Sequence, residues 1–302
     1  MVKQTNSTSP PLSTFRRDGV KVQITGERYL NVAPGWSIQL AIDNAALGDT
    51  VVVAAGTYTE NITLRSDVTV VGAGSGQTIL QGTGSGDVET ANSVTNAEFS
   101  GFTVQDSGTG TLDAGIRVIA SSMVIQANEI TGNTMGIRTS DSNSIICGNR
   151  IHHNGNAGNG RVDYGIYCGG NDLITNNLIV QNNESGVLCI VNGKTPRVLN
   201  NTISDNAGRG FHAAWRAPEL KNNIIAVNTS QGIFAENDSV VTSTYNCIFD
   251  NSPTYSEIRN GVIVSKTGDL YVDPQFDPLA PNDYLLSLGS PCINAGDPAA
   301  NL

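Results

Sequence analysis

The sequence predicts an all-β parallel β-helix, and three columns of residues recurring in one register predict it. The pattern Asn, one residue, Ile, two residues, Asn occurs six times, at Asn128/Ile130/Asn133, Asn149/Ile151/Asn154, Asn177/Ile179/Asn182, Asn201/Ile203/Asn206, Asn223/Ile225/Asn228 and Asn246/Ile248/Asn251. Successive copies lie 21, 28, 24, 22 and 23 residues apart, the spacing of a solenoid repeat. A second column runs in phase: Gly115-Ile116, Gly136-Ile137, Gly165-Ile166, Gly186-Val187, Gly210-Phe211 and Gly232-Ile233. A third, three residues before each leading Asn, reads Ile125, Ile146, Ile174, Val198, Leu220 and Ser243.

Each repeat carries short β-branched stretches of period two broken by Asn and Gly, with no helical stripe, so it reads as strands joined by tight turns. Stacked coils pair at roughly 4.8 Å and the Ile columns form a continuous interior. Asn fits the turn positions because it tolerates left-handed backbone and forms side-chain ladders between stacked chains. These asparagines therefore read as turn and ladder residues, not as ligands.

The elements follow in order. Residues 1–36 form an N-terminal extension. A helix is expected over Ser37 to Ala46, with Ile38, Ala41, Ile42 and Ala45 on one face, Ser37 as N-cap and Gly48 as terminator; it would cover the open hydrophobic end of the solenoid. Val51 to Val53, Ile62 to Leu64, Val68 to Val71 and Ile79-Leu80 read as the first coils, and the helix with its solenoid runs over residues 37–251. After Asn251 the period is lost, and 252–302 read as an irregular C-terminal cap or tail containing Tyr271, Phe276 and Tyr284.

Composition narrows the function classes. The chain has 302 residues, a net charge of −10 and 15% charged residues. An acidic chain lacks the cationic surface that neutralises phosphates, so nucleic acid is not expected as a partner. No run approaches the length of a bilayer span, so no membrane-spanning segment is expected. The five cysteines form no C-x-x-C pair, which argues against a zinc site or a dense disulfide framework. The polar start carries no secretory signal pattern.

The stretches IQLAIDNAALGDTVVVAAGTYTENITL, VTVVGAG and TILQG resemble the opening coils of bacterial right-handed parallel β-helix proteins of the pectin-lyase-like superfamily. The Asn/Ile/Asn and Gly-Ile columns are similar to that superfamily's repeat, and DPQFDPLAPNDYLLSLGSPCINAGDP resembles the tail of secreted and surface-attached members. The resemblance covers roughly residues 37 to 299. It implies a right-handed solenoid and an extracellular or cell-surface location, and a chain truncated from a longer protein. It leaves the activity open, because the superfamily includes lyases, hydrolases, epimerases, phage tailspikes and non-catalytic surface modules.

Chemistry on such a scaffold belongs to outward side chains of one sheet. Next to each inward Ile of the Gly-Ile column, the outward column reads Arg117, Arg138, Tyr167, Leu188, His212 and Phe234. The following inward column reads Val118, Thr139, Cys168, Cys189, Ala213 and Ala235. Guanidinium groups suit uronate carboxylates and aromatic faces suit sugar rings, so an acidic polysaccharide is the expected partner. Tyr167, His212 and Arg138 are the catalytic candidates for lyase-type β-elimination, which needs a neutralised carboxylate, a base and an acid. Arg117, Arg161, Asp163, Trp215, Arg216 and Phe234 are the substrate-binding candidates. Arg161 and Asp163 come from the insertion 155–164, and Trp215 and Arg216 lie just beyond His212. Residues 115–221 hold nine Lys/Arg against seven Asp/Glu, a slightly positive middle in an acidic chain.

Plainer readings stand beside these. The ladder also fits cross-strand packing on the surface of a non-catalytic module of a surface protein or phage fibre. A glycosidase would need two carboxylates about 5 to 10 Å apart, and the sequence shows no adjacent-coil carboxylate column. No cofactor is expected; a calcium ion held by Asp163, Asp172 and turn carbonyls is a minor alternative whose spacing matches no defined loop. His152 and His153 are adjacent, so in a strand they would point oppositely and could not share a metal. Cys168 and Cys189 fall at one inward position of neighbouring coils and read as stacked thiols. Oligomeric state is not legible.

Overall fold

The computed structural model describes residues 3–4, 28–155, 163–190, 193–215, 217–280 and 283–299. It is a right-handed parallel β-helix of about 10 turns, built from three long sheets of 12, nine and nine strands. We call these sheets A, B and C, in the order in which each coil visits them. All strand pairs are parallel except the first, where Lys3–Gln4 meets Tyr29–Val32. The stacking begins before the helix, with Tyr29–Val32 on Thr50–Val53. It continues past Asn251 as Tyr255–Glu257 in sheet C and Val262–Thr267 in sheet A.

The helix spans Ile38–Asn44 and buries Ile38, Ala41 and Ile42. Ser37 is its N-cap, its Oγ accepting from Leu40 N at 3.1 Å, and Glu60 accepts from Ile38 N (2.6 Å) and Gln39 N (3.2 Å). The free N–H groups of a first turn are thus answered by one hydroxyl and one carboxylate, which also ties the cap to the coil beneath it.

Two asparagine ladders stitch the coils together at the A-to-B and B-to-C corners. In the first, running from Asn128 to Asn246, each Oδ1 after the first accepts both the backbone N–H and the side-chain amide of the Asn one coil earlier, while Asn128 Oδ1 accepts from Phe102 N; Asn149, for example, donates to Asn177 Oδ1 from N (3.0 Å) and Nδ2 (3.0 Å). Nδ2 also donates to a backbone carbonyl of the preceding coil, as in Asn177 to Ile146 O at 2.8 Å. The second ladder, Asn133 to Asn251, repeats the scheme. These side chains satisfy corner backbone groups that the strand ladders cannot reach, in a place closed to water. The first ladder ends on Asp269, which accepts from Asn246 N (2.8 Å), from Ser243 Oγ (2.6 Å) and from Tyr255 Oη (2.8 Å).

The glycine column exists because of the second ladder. A Cβ on Gly210 would lie 2.5 Å from Ile225 Cγ2 and 2.8 Å from Asn228 Nδ2, and Gly165 and Gly186 meet Asn182 and Asn206 in the same way. Before the ladder begins the sizes are exchanged: Gly82 stands at the corner and Val88 fills the space beside it.

The interior is a stack of Ile, Val, Leu and Phe from all three sheets, each fully buried side chain contributing about 1.5–3 kcal/mol of transfer free energy. A buried carboxyl group interrupts it. Glu89 aligns with Ile62 and Ile116 in the inward column of sheet C. It is fully buried, and neither carboxyl oxygen has a hydrogen-bond partner.

The first part of the tail stacks on the last coil, with Tyr255–Glu257 in sheet C, Val262–Thr267 in sheet A and Leu270 bridged to Cys247; the rest runs elsewhere. It folds back along the side of the coils: Asp297 pairs with Lys221 and its N–H donates to Asn222 Oδ1 at 2.9 Å, while Phe276 packs edge-on against Tyr284.

Candidate functional site

Strand register settles which side chains share the outer face of sheet C. Arg117 aligns with Arg138, Arg138 with Tyr167, Tyr167 with Leu188, Leu188 with His212 and His212 with Phe234. At about 4.8 Å per coil this is a ladder roughly 24 Å long. It divides into two halves of different character.

The Arg117–Arg138–Tyr167 half is the more open. Arg117 pairs through Nη1 with Asp87 Oδ2 at 3.2 Å, and Asp87 also accepts from Ala114 N at 2.9 Å. Arg138 sits against the Tyr167 ring, 5.8 Å from its centroid, and its Nε and Nη1 are buried without an acceptor. A desolvated guanidinium with unmet N–H groups costs free energy until an anion meets it. Tyr164 lies beside Tyr167, with ring centroids 6.1 Å apart; burial pushes its phenol well above the ordinary tyrosine range.

The Leu188–His212–Phe234 half is closed. These residues are 3%, 6% and 5% exposed. The His212 ring meets Phe234 edge-on, and the Arg209 guanidinium lies 4.2 Å from the Phe234 centroid on its way to Gln231 Oε1. His212 Nε2–H donates to Glu236 Oε1 at 3.0 Å, which leaves Nδ1 as the lone-pair nitrogen, buried and without a partner. Burial and the nearby Arg209 charge lower the imidazole to about 4, against the opposing pull of Glu236, so the ring is neutral at neutral pH. Glu236 lies two residues past Phe234 on the same strand and so on the same face.

Trp215 lies at the C-to-A corner, 46% exposed, with φ 55, a left-handed conformation that a bulky residue adopts at a cost of order 1–3 kcal/mol. It lines a groove of about 370 Å³ with Gly193, Lys194, Thr195, Ala217, Asp238 and Val240. A larger hollow of about 490 Å³ lies on sheet A and shares no residue with the ladder. Asp163 is 3% exposed just before Tyr164; burial, with the Asp163 charge beside it, raises the Glu184 carboxyl. Arg161 and Arg216 lie outside the described residues.

Asp172, one of the two carboxylates of the calcium alternative, is engaged by neighbouring hydroxyl and amide groups. Its carboxylate accepts from Thr139 Oγ1 (2.6 Å), Ser142 Oγ (2.7 Å) and Ser144 N (2.8 Å), which makes it a buried brace. Among the described residues no group of three or more His, Cys, Asp or Glu side chains is placed to hold a metal. Cys168 and Cys189 align in register as free, buried thiols. Among the described residues no helix is long and apolar enough to cross a membrane.

His152 and His153 depart from strand alternation. His153 is left-handed, with φ 51, and this turns the two rings together, Nδ1 to Nδ1 at 2.6 Å.

The chain matches the family described as Right handed beta helix region over residues 156–276. No curated protein matches it. Among solved structures it is similar to pectate lyase Pel9A, with TM-score 0.64, 17% identity, and 88% of this chain and 87% of that one covered. It is also similar to the periplasmic alginate epimerase AlgG, with TM-score 0.52, 13% identity, and 81% and 73% covered. A third similar structure is the ORF18 protein of Geobacillus virus E2, with TM-score 0.55, 16% identity and 78% of this chain covered; the chain spans only 56% of that protein's length. At these identities the likeness is one of fold. With the three stacked sheets and the family match, it makes the chain a right-handed parallel β-helix repeat protein.

Proposed function

We propose that the outer face of sheet C binds an acidic polysaccharide outside the cell, with Arg138 and Arg117 taking its anionic groups and Tyr167 a sugar ring. The observation that carries this reading is Arg138, whose buried, unanswered N–H groups stand beside an aromatic face on a straight ladder. A carboxylate reaches these atoms only after the side chains over them move, and then forms charge-assisted hydrogen bonds in a place shielded from water. A ladder with one coil about every 4.8 Å suits an extended polymer. Two proteins of this fold are named for pectate lysis and alginate epimerisation, which supports an acidic glycan. Trp215, in its groove beside Lys194, extends the surface at the neighbouring corner.

In the catalytic form of this reading the reaction is β-elimination on a uronate. A neutralised carboxylate acidifies the adjacent C5–H; Arg138, three coils and about 14 Å along the ladder from His212, answers the carboxylate of a neighbouring sugar of the same polymer. His212 Nδ1 takes that proton, the freed electron pair forms the C4=C5 double bond, and the glycosidic C4–O bond breaks as Tyr167 Oη protonates the leaving oxygen. Glu236 holds the imidazole in the tautomer that leaves Nδ1 free. With His212 at 6% exposure, substrate reaches Nδ1 only after the side chains over it move. That closure favours a second reading, a face that binds glycan without turnover.

Absorbance at about 235 nm, where an unsaturated uronate product absorbs, separates the two when the protein is incubated with pectic, alginate and glycosaminoglycan substrates. The lyase form predicts a rise that His212→Ala and Tyr167→Ala abolish. Its kcat/KM would fall on the acid side near pH 4, where His212 protonates, instead of near 6.5. Binding with no rise on any substrate identifies a non-catalytic module. Absence of both binding and a rise overturns the proposal.

A further inference from the structure

We propose that His152 and His153 form a two-imidazole site for a first-row divalent ion, Cu²⁺ in preference to Zn²⁺, on the outside of the solenoid at the B-to-C corner. In an extended strand the two rings would lie on opposite faces. The left-handed turn at His153 brings them to one side, with the ring planes at 81° and Nδ1 facing Nδ1 at 2.6 Å. His153 is exposed and His152 half-buried, so an ion has a way in and one ligand is held firmly.

The proton inventory favours two lone pairs at the meeting point. His152 Nε2 lies 3.0 Å from Glu129 Oε1. The other oxygen of Glu129 accepts from Thr103 Oγ1 at 3.1 Å, and Thr103 Oγ1 in turn accepts from Gly76 N at 2.8 Å. The carboxylate is therefore an acceptor fixed from behind, the His152 proton resides on Nε2, and Nδ1 presents its lone pair. A carboxylate gripping the far nitrogen of an imidazole is the usual support of a metal-bound histidine, since it fixes the ring and raises its basicity. Without an ion, His153 must place an N–H on the same point. An N···N separation of 2.6 Å is below the usual 2.7–3.2 Å for such a donor. Two imidazole nitrogens at about 2.0–2.1 Å from one ion stand roughly 2.9–3.4 Å apart, so the rings need open by only a few tenths of an ångström. Imidazole suits Cu²⁺ and Zn²⁺, and Cu²⁺ binds the more tightly at a given nitrogen site. No third His, Cys, Asp or Glu among the described residues joins the pair, so water completes the coordination.

The test is titration of the full chain with Cu²⁺ alone and with Zn²⁺ alone, by calorimetry, with the Cu²⁺ electron paramagnetic resonance spectrum recorded at one equivalent. One equivalent bound, with nitrogen hyperfine structure and Cu²⁺ tighter than Zn²⁺, is expected. His153→Asn keeps a residue that tolerates the left-handed turn and should weaken the site at least about tenfold. Glu129→Gln, which leaves both ligands in place, should weaken it about 10- to 100-fold with the melting temperature unchanged. No stoichiometric binding, or binding unaltered by His153→Asn, overturns the proposal. So does a ¹⁵N spectrum showing a proton held between the two Nδ1 atoms that Cu²⁺ does not displace.

Discussion

Replacing Asn177 by Ala should destabilise the solenoid by about 3–5 kcal/mol, among the larger effects of any single substitution. Asn177 Oδ1 accepts from Asn149 N and Nδ2, and its own Nδ2 donates to Ile146 O, Thr175 O and Asn201 Oδ1. Alanine leaves at least one backbone N–H and one carbonyl orphaned at a corner sealed from water. Each such group costs about 1–3 kcal/mol, and the lost side chain adds a void. Its coil neighbours cannot compensate, because each ladder amide already has partners above and below. Urea denaturation followed by circular dichroism measures the loss. Asn143→Ala, at an exposed position on the C-to-A side, should change stability by no more than about 0.5 kcal/mol. A cost below 1 kcal/mol for Asn177→Ala would mean that the ladder is decoration on sheets that stand without it.

Glu89→Ile should stabilise the protein by about 2 kcal/mol or more at neutral pH, a rare sign for a core substitution. The position belongs to an isoleucine column, between Ile62 and Ile116, and the native carboxyl is wholly buried and without a partner. Burial, helped by the Asp87 charge, raises its pKa well above 4.5. The sign follows from linkage: stability is fully present below the unfolded value near 4.5 and is lost as pH rises through the folded one. The gain from isoleucine should therefore be smallest near pH 4 and grow toward alkaline pH, where the native chain must ionise or bury a charge. Melting temperatures of both proteins across that range give the comparison. A variant less stable than the parent at pH 8 would show that Glu89 has a partner or a purpose in the core.

The outer ladder could be read before the fold was known because it depends only on period. Once the Gly-Ile pairs fix the phase, Arg117 through Phe234 must align, and the register pairs them one by one. The same column carried back one coil would have exposed Glu89, since Val88-Glu89 occupies the place of Gly115-Ile116. The histidine pair was hidden because alternation fails at a left-handed residue. The signal was nonetheless present: Gly132, His153, Gln181, Asp205, Val227 and Asp250 each precede a closing Asn, and the non-glycine members all adopt positive φ. What no period carries is how side chains cross from one coil to the next. Arg209 lies over Phe234, and Glu236 reaches back to His212. These contacts close half of a face that alternation alone makes uniformly open.

Arg138 bears most of the functional argument, so the decisive measurement is the affinity of an oligouronate for the parent protein and for Arg138→Ala, by calorimetry at low ionic strength. Loss of a charge-assisted pair in a desolvated setting, about 1.5–3 kcal/mol, predicts affinity at least tenfold weaker in the variant. It also predicts a parent affinity that weakens with salt, no change in melting temperature beyond a degree or two, and no binding of the neutral, carboxyl-reduced oligomer. Equal affinity in the two proteins, or equal binding of charged and neutral oligomers, would contradict the assignment of this face to an acidic glycan.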